Sequence, residues 1–296
     1  MKYTVYGIVF ESNYYFSYFH LCSDLLPIDM YVEVNINPDA IIPSVQNFGD
    51  DWFEISQLDT VMYRYFDKKL YILAKNDSCI KSTISTVPFF MPVTQKGGVL
   101  FHAACVISRA NRKAGIIAAP SGVGKSTIAT YLSTRHKDTF QIVSDDAIAV
   151  YLQKEIPYVY NGPTFSKIDT STAVLIGATV CEKNFDNSKF LISHNRDMSE
   201  ICNNIEKQKF ELGAFFFAVS VPASENLQIK ELDYRSMATF IKTSIVANRY
   251  NLADINKILF DRAELIGNKI LSYILCYPQK TESLNIRLCE AIYEKI

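Results

Sequence analysis

The sequence predicts a mixed α/β fold in which a small β-rich region, residues 1–85, precedes a larger α/β region, residues 86–296. Apolar and polar residues alternate with period two over residues 3–9 and 30–36, which predicts strands in the first region. In the second region an apolar run at 114–119 leads into a glycine-rich loop and a helical stretch. Apolar periodicity also predicts three late helices, near residues 236–248, 253–272 and 281–295.

Composition limits the classes of function. The 296 residues include 30 Lys and Arg against 31 Asp and Glu, a formal net charge of −1, so no general basic field attracts nucleic acid or an anionic membrane. The seven cysteines contain no Cys-x-x-Cys pair, which predicts reduced thiols in a cytoplasmic protein. The longest apolar run, 212–223, contains Pro222 and is too short for a membrane span. We therefore expect a soluble protein with no nucleic-acid or membrane partner.

The second region has a definite order of predicted elements. Pro88 and Pro92 mark its first segment, and the polar tract 108–113 predicts a hairpin between two strands. The predicted strands cover residues 99–107, 114–119, 140–144, 147–151, 158–165 and 214–221, with a helix at 126–133.

Residues 119–126 read Ala-Pro-Ser-Gly-Val-Gly-Lys-Ser, which matches the Gly/Ala-x-x-x-x-Gly-Lys-Ser/Thr pattern of phosphate-binding loops. Gly122 and Gly124 let successive backbone N–H groups converge on a phosphate, and Lys125 adds a positive charge. The alternative is a glycine-rich turn without a ligand. The preceding strand and the following helix favour the loop, because they direct the helix N-terminus at the anion. We expect ATP, or another nucleoside triphosphate, and Mg²⁺ to be bound by Ser121, Gly122, Val123, Gly124, Lys125, Ser126 and Thr127, with the Ser126 hydroxyl on the metal.

Two adjacent carboxylates, Asp145 and Asp146, follow the strand that returns after the loop helix. Asp145 lies 20 residues after Lys125, enough for one helix and one strand, so we expect the pair beside the loop. Neighbouring side chains on an extended chain point to opposite sides. One carboxylate can then face Mg²⁺ while the other accepts the proton of an attacking hydroxyl. The alternative for an Asp pair is a solvated turn, and the residues do not indicate which Asp has which role.

His102 lies near the middle of the predicted strand 99–107. A lone His in an apolar strand is commonly a core residue. The strand directly precedes that of the phosphate loop, however, so His102 is also a candidate partner of the acidic pair, where it would tune a carboxyl pKa.

The segments 101–104, 118–127 and 143–146 resemble the HPr kinase/phosphorylase superfamily in order and spacing. That superfamily shares a nucleotide-binding core with phosphoenolpyruvate carboxykinases, and some related kinases phosphorylate a serine of a lasso-peptide precursor. The resemblance implies a general base and a metal contact at Asp145 and Asp146, a metal ligand at Ser126, and His102 as partner of the acidic pair. The Glu-x-Arg-Gly signature of the bifunctional enzymes is absent from the sequence, so neither phosphorylase activity nor HPr as substrate is expected.

Two further cations are candidates with weaker support. Lys167, in the segment 161–169, is expected either to meet a phosphate or acceptor peptide or to be a solvated surface charge. Arg196 is a weaker candidate for stabilising the transferred charge.

These observations favour an ATP- and Mg²⁺-dependent kinase that phosphorylates a Ser or Thr hydroxyl of a peptide or small protein, with Lys125, His102 and the two aspartates as catalytic residues. One alternative is a kinase for a small hydroxylated metabolite. Another is a nucleotide-sensing interaction protein without transfer, which would need no proton acceptor. The sequence leaves the acceptor, the purine and a homo-oligomeric state open.

Overall fold

The structure is a computed structural model that describes residues 1–57, 59–176, 182–183, 190–193, 202, 204–222, 226–247, 253–278 and 286–296. The described residues form a mixed α/β protein with three sheets and seven α-helices. The mixed α/β class predicted from the sequence is thereby confirmed at this coarse level.

The first sheet has eight strands and is built from the N-terminal part of the chain. Its strands are β1 (Lys2–Val5), β2 (Ile8–Ser12), β3 (His20–Leu21), β4 (Met30–Ile36), β5 (Gln46–Phe48), β6 (Phe53–Gln57), β7 (Val61–Phe66) and β8 (Lys69–Ala74). Their order in the sheet is β3-β1-β2-β4-β8-β7-β6-β5. Burial alternates along β4 from Met30 to Asn35 and stops at Ile36, which is exposed, so the period-two prediction for residues 30–36 is confirmed except at its last residue.

Two helices, α1 (Asp77–Thr83) and α2 (Val87–Gln95), follow the first sheet. Asn76 caps α1, because its side chain accepts a hydrogen bond from the N–H of Cys79 at 3.0 Å. Pro88 lies in the first turn of α2, where its missing N–H costs nothing, and Pro92 lies inside the helix. The sequence analysis predicted neither helix, and it took Pro88 and Pro92 only as marks of the first segment of the second region.

The second sheet carries the predicted phosphate loop. Its nine strands are β9 (Val99–Phe101), β10 (Ala103–Ser108), β11 (Ala114–Ala118), β12 (Phe140–Ser144), β13 (Ile148–Gln153), β14 (Ile156–Tyr160), β18 (Lys209–Val221), β19 (Gln228–Glu231) and β20 (Leu271–Pro278). The main order is β12-β10-β11-β18-β14-β13-β9, with β20 paired to β18 and β19 to β20. The predicted hairpin is confirmed, since β10 and β11 pair antiparallel.

The remaining elements include a small antiparallel sheet of β15 (Phe165–Ile168), β16 (Glu182–Lys183) and β17 (Phe190–Ser193). The other helices are α3 (Lys125–Arg135), α4 (Thr170–Ile176), α5 (Tyr234–Thr243), α6 (Ala253–Gly267) and α7 (Ile286–Tyr293), with a 3₁₀ turn at Ile205–Gln208. Among the described residues, no helix has the length and apolarity to cross a membrane.

Two hydrophobic clusters cover the two faces of the second sheet. In β11, Ile116 belongs to a large cluster shared with the first sheet, whereas Ile117 belongs to a cluster with α3 and α7. This alternation buries β11 on both faces. The phosphate loop therefore begins from a strand with no exposed residue.

Four predicted elements differ from the structure. The predicted strand 3–9 is a hairpin, because β1 and β2 pair antiparallel across a turn at residues 6–7. The predicted strand 158–165 is divided between β14 and β15, with residues 161–164 outside both strands. The predicted strand 99–107 is broken at His102, because β9 pairs with β13 whereas β10 pairs with β11 and β12. The predicted helix 253–272 ends at Gly267, and Ser272 lies in β20 opposite Phe215 of β18. The apolar periodicity continues past Gly267, but residues from Leu271 onward form a strand because β20 pairs with β18. The predicted division into residues 1–85 and 86–296 stays a prediction.

Candidate functional site

The topology of the second sheet brings the predicted site residues to one edge. Strand β10 is antiparallel to both β11 and β12, so β11 and β12 run in the same direction. The loop that follows β11 and the Asp pair that follows β12 therefore meet at the same edge. The parallel strands β18 and β20 end there too. In open α/β sheets this carboxyl edge is the usual position of a ligand.

A cleft of about 310 Å³ lies at this edge. It is lined by His102, Ser121, Gly122, Gly124, Lys125, Ser126, Thr127, Asp145, Asp146, Lys167, Ile168 and Asp169. All the predicted site residues except Val123 contribute to the lining, and Val123 packs instead against the cluster of α3 and α7. Arg196 lies outside the residues that the structure describes.

The loop has the backbone that its glycines permit. Gly122 has φ 83° and Gly124 has φ 109°, both in the left-handed range, and α3 begins at the next residue, Lys125. A Cβ at Gly124 would overlap the hydroxyl of Tyr277, a buried residue of β20. Tyr277 is thus a neighbour of the loop that sequence patterns did not single out.

Asp145 is 2% exposed at the end of β12. Its Oδ2 accepts a hydrogen bond at 3.3 Å from the backbone N–H of Lys167. Its Oδ1 is buried and has no hydrogen-bond partner among the described residues. Burial and the neighbouring Asp146 raise the pKa of Asp145, and the Ser126 hydrogen bond and Lys125 only partly oppose them.

Asp146 has different surroundings. Its backbone is left-handed, with φ 70°, which Asp tolerates better than most residues. Its Oδ2 accepts hydrogen bonds from Lys167 Nζ at 2.9 Å and Ser85 Oγ at 2.8 Å. Burial alone would raise the pKa of Asp146, but Lys167, His102 and the Ser85 hydrogen bond together lower it well below the usual value. Asp146 is therefore an ionised carboxylate, partly exposed to the cleft.

His102 lies at the break between β9 and β10, which turns its ring toward Asp146. Its Nδ1 is 2.9 Å from the backbone carbonyl oxygen of Asp146 and 3.7 Å from Oδ1 of the same residue. A carbonyl can only accept, so Nδ1 carries a proton and donates it. The predicted contact of His102 with the acidic pair is thus present, and it is made to Asp146.

Lys167 belongs to the cleft rather than to the solvated surface. Besides Asp146, its Nζ donates to the carbonyl oxygen of Ser82 at 2.7 Å and to Ser85 Oγ at 3.2 Å. Sequence reasoning missed Ser85, since no local pattern brings a serine near residue 85 to a strand end near residue 146.

The side-chain oxygen atoms of Ser126 and Asp145 are the type of ligand that a hard divalent cation prefers. Oδ1 of Asp145 is buried without a hydrogen-bond partner among the described residues, and a bound cation would give it one interaction. In the described part of the chain, no group of three or more His, Cys, Asp or Glu side chains is arranged to hold a metal. A few protein oxygens completed by substrate phosphates are the usual Mg²⁺ arrangement in kinases. The residues present therefore fit Mg²⁺ brought with a nucleotide.

Comparison with known proteins gives similarity to solved structures. No family model and no curated protein matches the chain. Among solved structures, the chain is similar to the HPr(Ser) kinase/phosphatase from Coxiella burnetii, with 13% sequence identity and a TM-score of 0.33. The match covers 66% of this chain and 95% of that chain. The similarity is weak and concerns the fold alone.

Proposed function

We propose that the protein is an ATP- and Mg²⁺-dependent kinase that phosphorylates a Ser or Thr hydroxyl of a peptide or small protein. The observation that carries this proposal is the cleft itself. It combines a glycine loop, Lys125 and two adjacent carboxylates. The pKa of Asp145 is raised, whereas the pKa of Asp146 is lowered. Phosphoryl transfer needs these parts, because the enzyme must hold phosphates, anchor a metal and receive a proton.

In this proposal the loop and Lys125 hold the phosphates. Gly122, Gly124 and the first residues of α3 line the cleft, and their N–H groups would donate to phosphate oxygens. Lys125 is buried, so its charge acts at short range and with little screening.

Ser126 and Asp145 would hold Mg²⁺, which neutralises charge on the β- and γ-phosphates when bound. Ser126 and Asp145 both line the cleft. The pKa of Asp145 is raised because burial and the charge of Asp146 outweigh the opposing effects of Ser126 and Lys125. A cation bound beside Asp145 would stabilise its ionised carboxylate.

Asp146 would then be the base. The acceptor oxygen forms a bond to the γ-phosphorus, the bond from phosphorus to the β,γ-bridging oxygen breaks, and the acceptor proton passes to the carboxylate of Asp146. Asp146 is ionised and ready to accept a proton, and His102 and Lys167 fix its orientation. A weak base is sufficient, because the hydroxyl proton becomes acidic as its oxygen bonds to phosphorus.

A polypeptide acceptor is favoured over a small metabolite by the first sheet. Tyr31, Phe66 and Tyr71 are exposed on its outer face, and the register places Tyr31 and Phe66 on either side of Lys69. Exposed aromatic side chains on a sheet face are typical of surfaces that contact another polypeptide.

The test is transfer of label from γ-³²P-ATP to candidate peptides, with intact mass as a second readout. We expect Lys125→Ala to lose nucleotide binding, and Asp145→Asn and Asp146→Asn to lower transfer by about 100-fold or more. Lys137→Ala, which removes an exposed lysine of the loop after α3, is the matched control and should leave transfer unchanged. If both aspartate variants keep wild-type transfer, the proposed mechanism is wrong.

A further inference from the structure

Residues 84–86 join α1 to α2. They lie next to the cleft, although they follow the first sheet in sequence and do not belong to the second sheet, at whose edge the cleft lies. Ser85 is 1% exposed there. Its hydroxyl donates to Asp146 Oδ2 at 2.8 Å and accepts from Lys167 Nζ at 3.2 Å. The Ser85 hydroxyl therefore bridges the Asp146 carboxylate and the Lys167 ammonium group. It uses its O–H as a donor to the first and a lone pair as an acceptor from the second.

The segment is held in place from the opposite side by the first sheet. The carbonyl oxygen of Ser85 accepts a hydrogen bond from the Tyr6 hydroxyl at 2.8 Å. Tyr6 lies in the turn between β1 and β2, and its own backbone is fixed to the second sheet. Its N–H donates to the Asn161 carbonyl at 2.8 Å, and its carbonyl accepts from the Tyr151 hydroxyl at 2.8 Å. The Tyr6 turn thus sets the position of Ser85 relative to Asp146.

We propose that Ser85 is a positioning residue that fixes the carboxylate of Asp146, so that the N-terminal part of the chain completes the phosphoryl-transfer site. This inference rests on the proposed function, in which Asp146 receives the acceptor proton. Without the Ser85 hydroxyl, Oδ2 of Asp146 loses one of these two hydrogen bonds and keeps the one from the Lys167 ammonium group. An ammonium group donates with little directional preference, so the carboxylate can rotate more freely. A base that is displaced by a fraction of an ångström transfers protons less efficiently.

The experiment compares variants of the full chain by two readouts that need no identified acceptor. One is the rate of ATP hydrolysis with Mg²⁺, in which water is the acceptor, and the other is equilibrium binding of a fluorescent ATP analogue. We expect Ser85→Ala to lower kcat by about 10-fold or more. KM and analogue binding should stay within about twofold, since Ser85 does not line the cleft. Ser85→Thr restores the hydroxyl and should recover kcat to within about threefold.

The matched control is Thr86→Ala. The Thr86 hydroxyl donates to the carbonyl oxygen of Thr83, the last residue of α1, at 3.5 Å, and Thr86 does not line the cleft. Its loss should leave kcat and KM at wild-type values. Thermal unfolding of every variant separates a loss of positioning from a loss of fold.

Three outcomes overturn the inference in distinguishable ways. If Ser85→Ala keeps wild-type kcat while Asp146→Asn loses it, Ser85 does not position Asp146 and the proposed function stands. If Ser85→Ala and Ser85→Thr both lose kcat together with analogue binding and melting temperature, Ser85 has a structural role only. If Lys125→Ala and Asp146→Asn also hydrolyse ATP like the wild type, the proposed function fails and this inference fails with it.

Discussion

Asp145 and Asp146 are neighbours in sequence whose side chains have opposite electrostatic surroundings. Burial and Asp146 raise the pKa of Asp145, whereas Lys167 and His102 outweigh burial and lower the pKa of Asp146. A carboxyl with a raised folded-state pKa costs stability once it ionises. A carboxyl with a lowered folded-state pKa contributes stability above its unfolded pKa and loses it as the pH falls. The pair therefore combines a destabilising charge with a stabilising one.

Substitution of each aspartate by asparagine should shift stability in opposite directions. At pH 7, Asp145→Asn should raise the free energy of unfolding by about 1 kcal/mol, because a neutral amide replaces a buried charge. Asp146→Asn should lower it by about 2 kcal/mol, because Lys167 keeps its charge and loses its partner. Urea unfolding at several pH values measures both effects.

The pH dependence gives a second check on the same pair. The gain in Asp145→Asn should vanish below about pH 4, where Asp145 is protonated in both the folded and unfolded states. The deficit in Asp146→Asn should stay constant above the unfolded-state pKa of Asp and shrink progressively as the pH falls from there toward the lowered folded-state pKa of Asp146. Stability changes of the same sign at pH 7 would contradict these assignments.

At the level of elements, the sequence predicted those parts of the site whose signals are local. The strand β11, the loop and α3 follow one another within about twenty residues, and Asp145 directly follows β12. The contributions of Ser85 and Lys167 depend on how distant elements pack together, which no periodicity encodes. The bend at His102 was missed for the same reason, since it arises where the chain changes its pairing partners.

The link between β14 and β15 brings Lys167 to the cleft and passes close to β12. The N–H of Gly162 donates to the Val143 carbonyl at 3.1 Å. A Cβ at Gly162 would overlap the Ser144 hydroxyl and lie 2.8 Å from the ring of Tyr6. Only a glycine allows this approach.

Gly162→Ala should therefore displace the link and β15. We expect a loss of about 2 kcal/mol in the free energy of unfolding and slower phosphoryl transfer, because Lys167 moves away from Asp146. Gly97→Ala is the control, since a Cβ there meets no atom within 4 Å and adds only the strain of φ +87°. It should cost about 1 kcal/mol without slowing transfer. Equal transfer rates in the two variants would show that Gly162 does not affect phosphoryl transfer through the position of Lys167.

At the level of the whole molecule, a single hydrophobic cluster joins the first sheet to one face of the second. It extends along the chain from Tyr3 to Ile266 and includes residues of both helices between the sheets. Phe89 of α2 belongs to this cluster and is 1% exposed. The ring centroid of Phe89 lies 5.8 Å from Tyr6, 5.9 Å from Phe10 and 5.7 Å from Phe19. Unfolding of residues 1–85 would expose this shared surface on the second sheet as well.

We therefore expect one cooperative thermal transition, even if the predicted division at residue 85 is a true domain boundary. Scanning calorimetry should give a single peak. Phe89→Ala should lower the free energy of unfolding by about 3–5 kcal/mol and move that peak to lower temperature without splitting it. Phe66→Ala, at a ring that is 58% exposed on the outer face of the first sheet, is the control and should change stability by less than about 0.5 kcal/mol. Two resolved peaks in the wild type would show instead that the two sheets unfold independently, and Ser85 would then be held at the cleft only while both are folded.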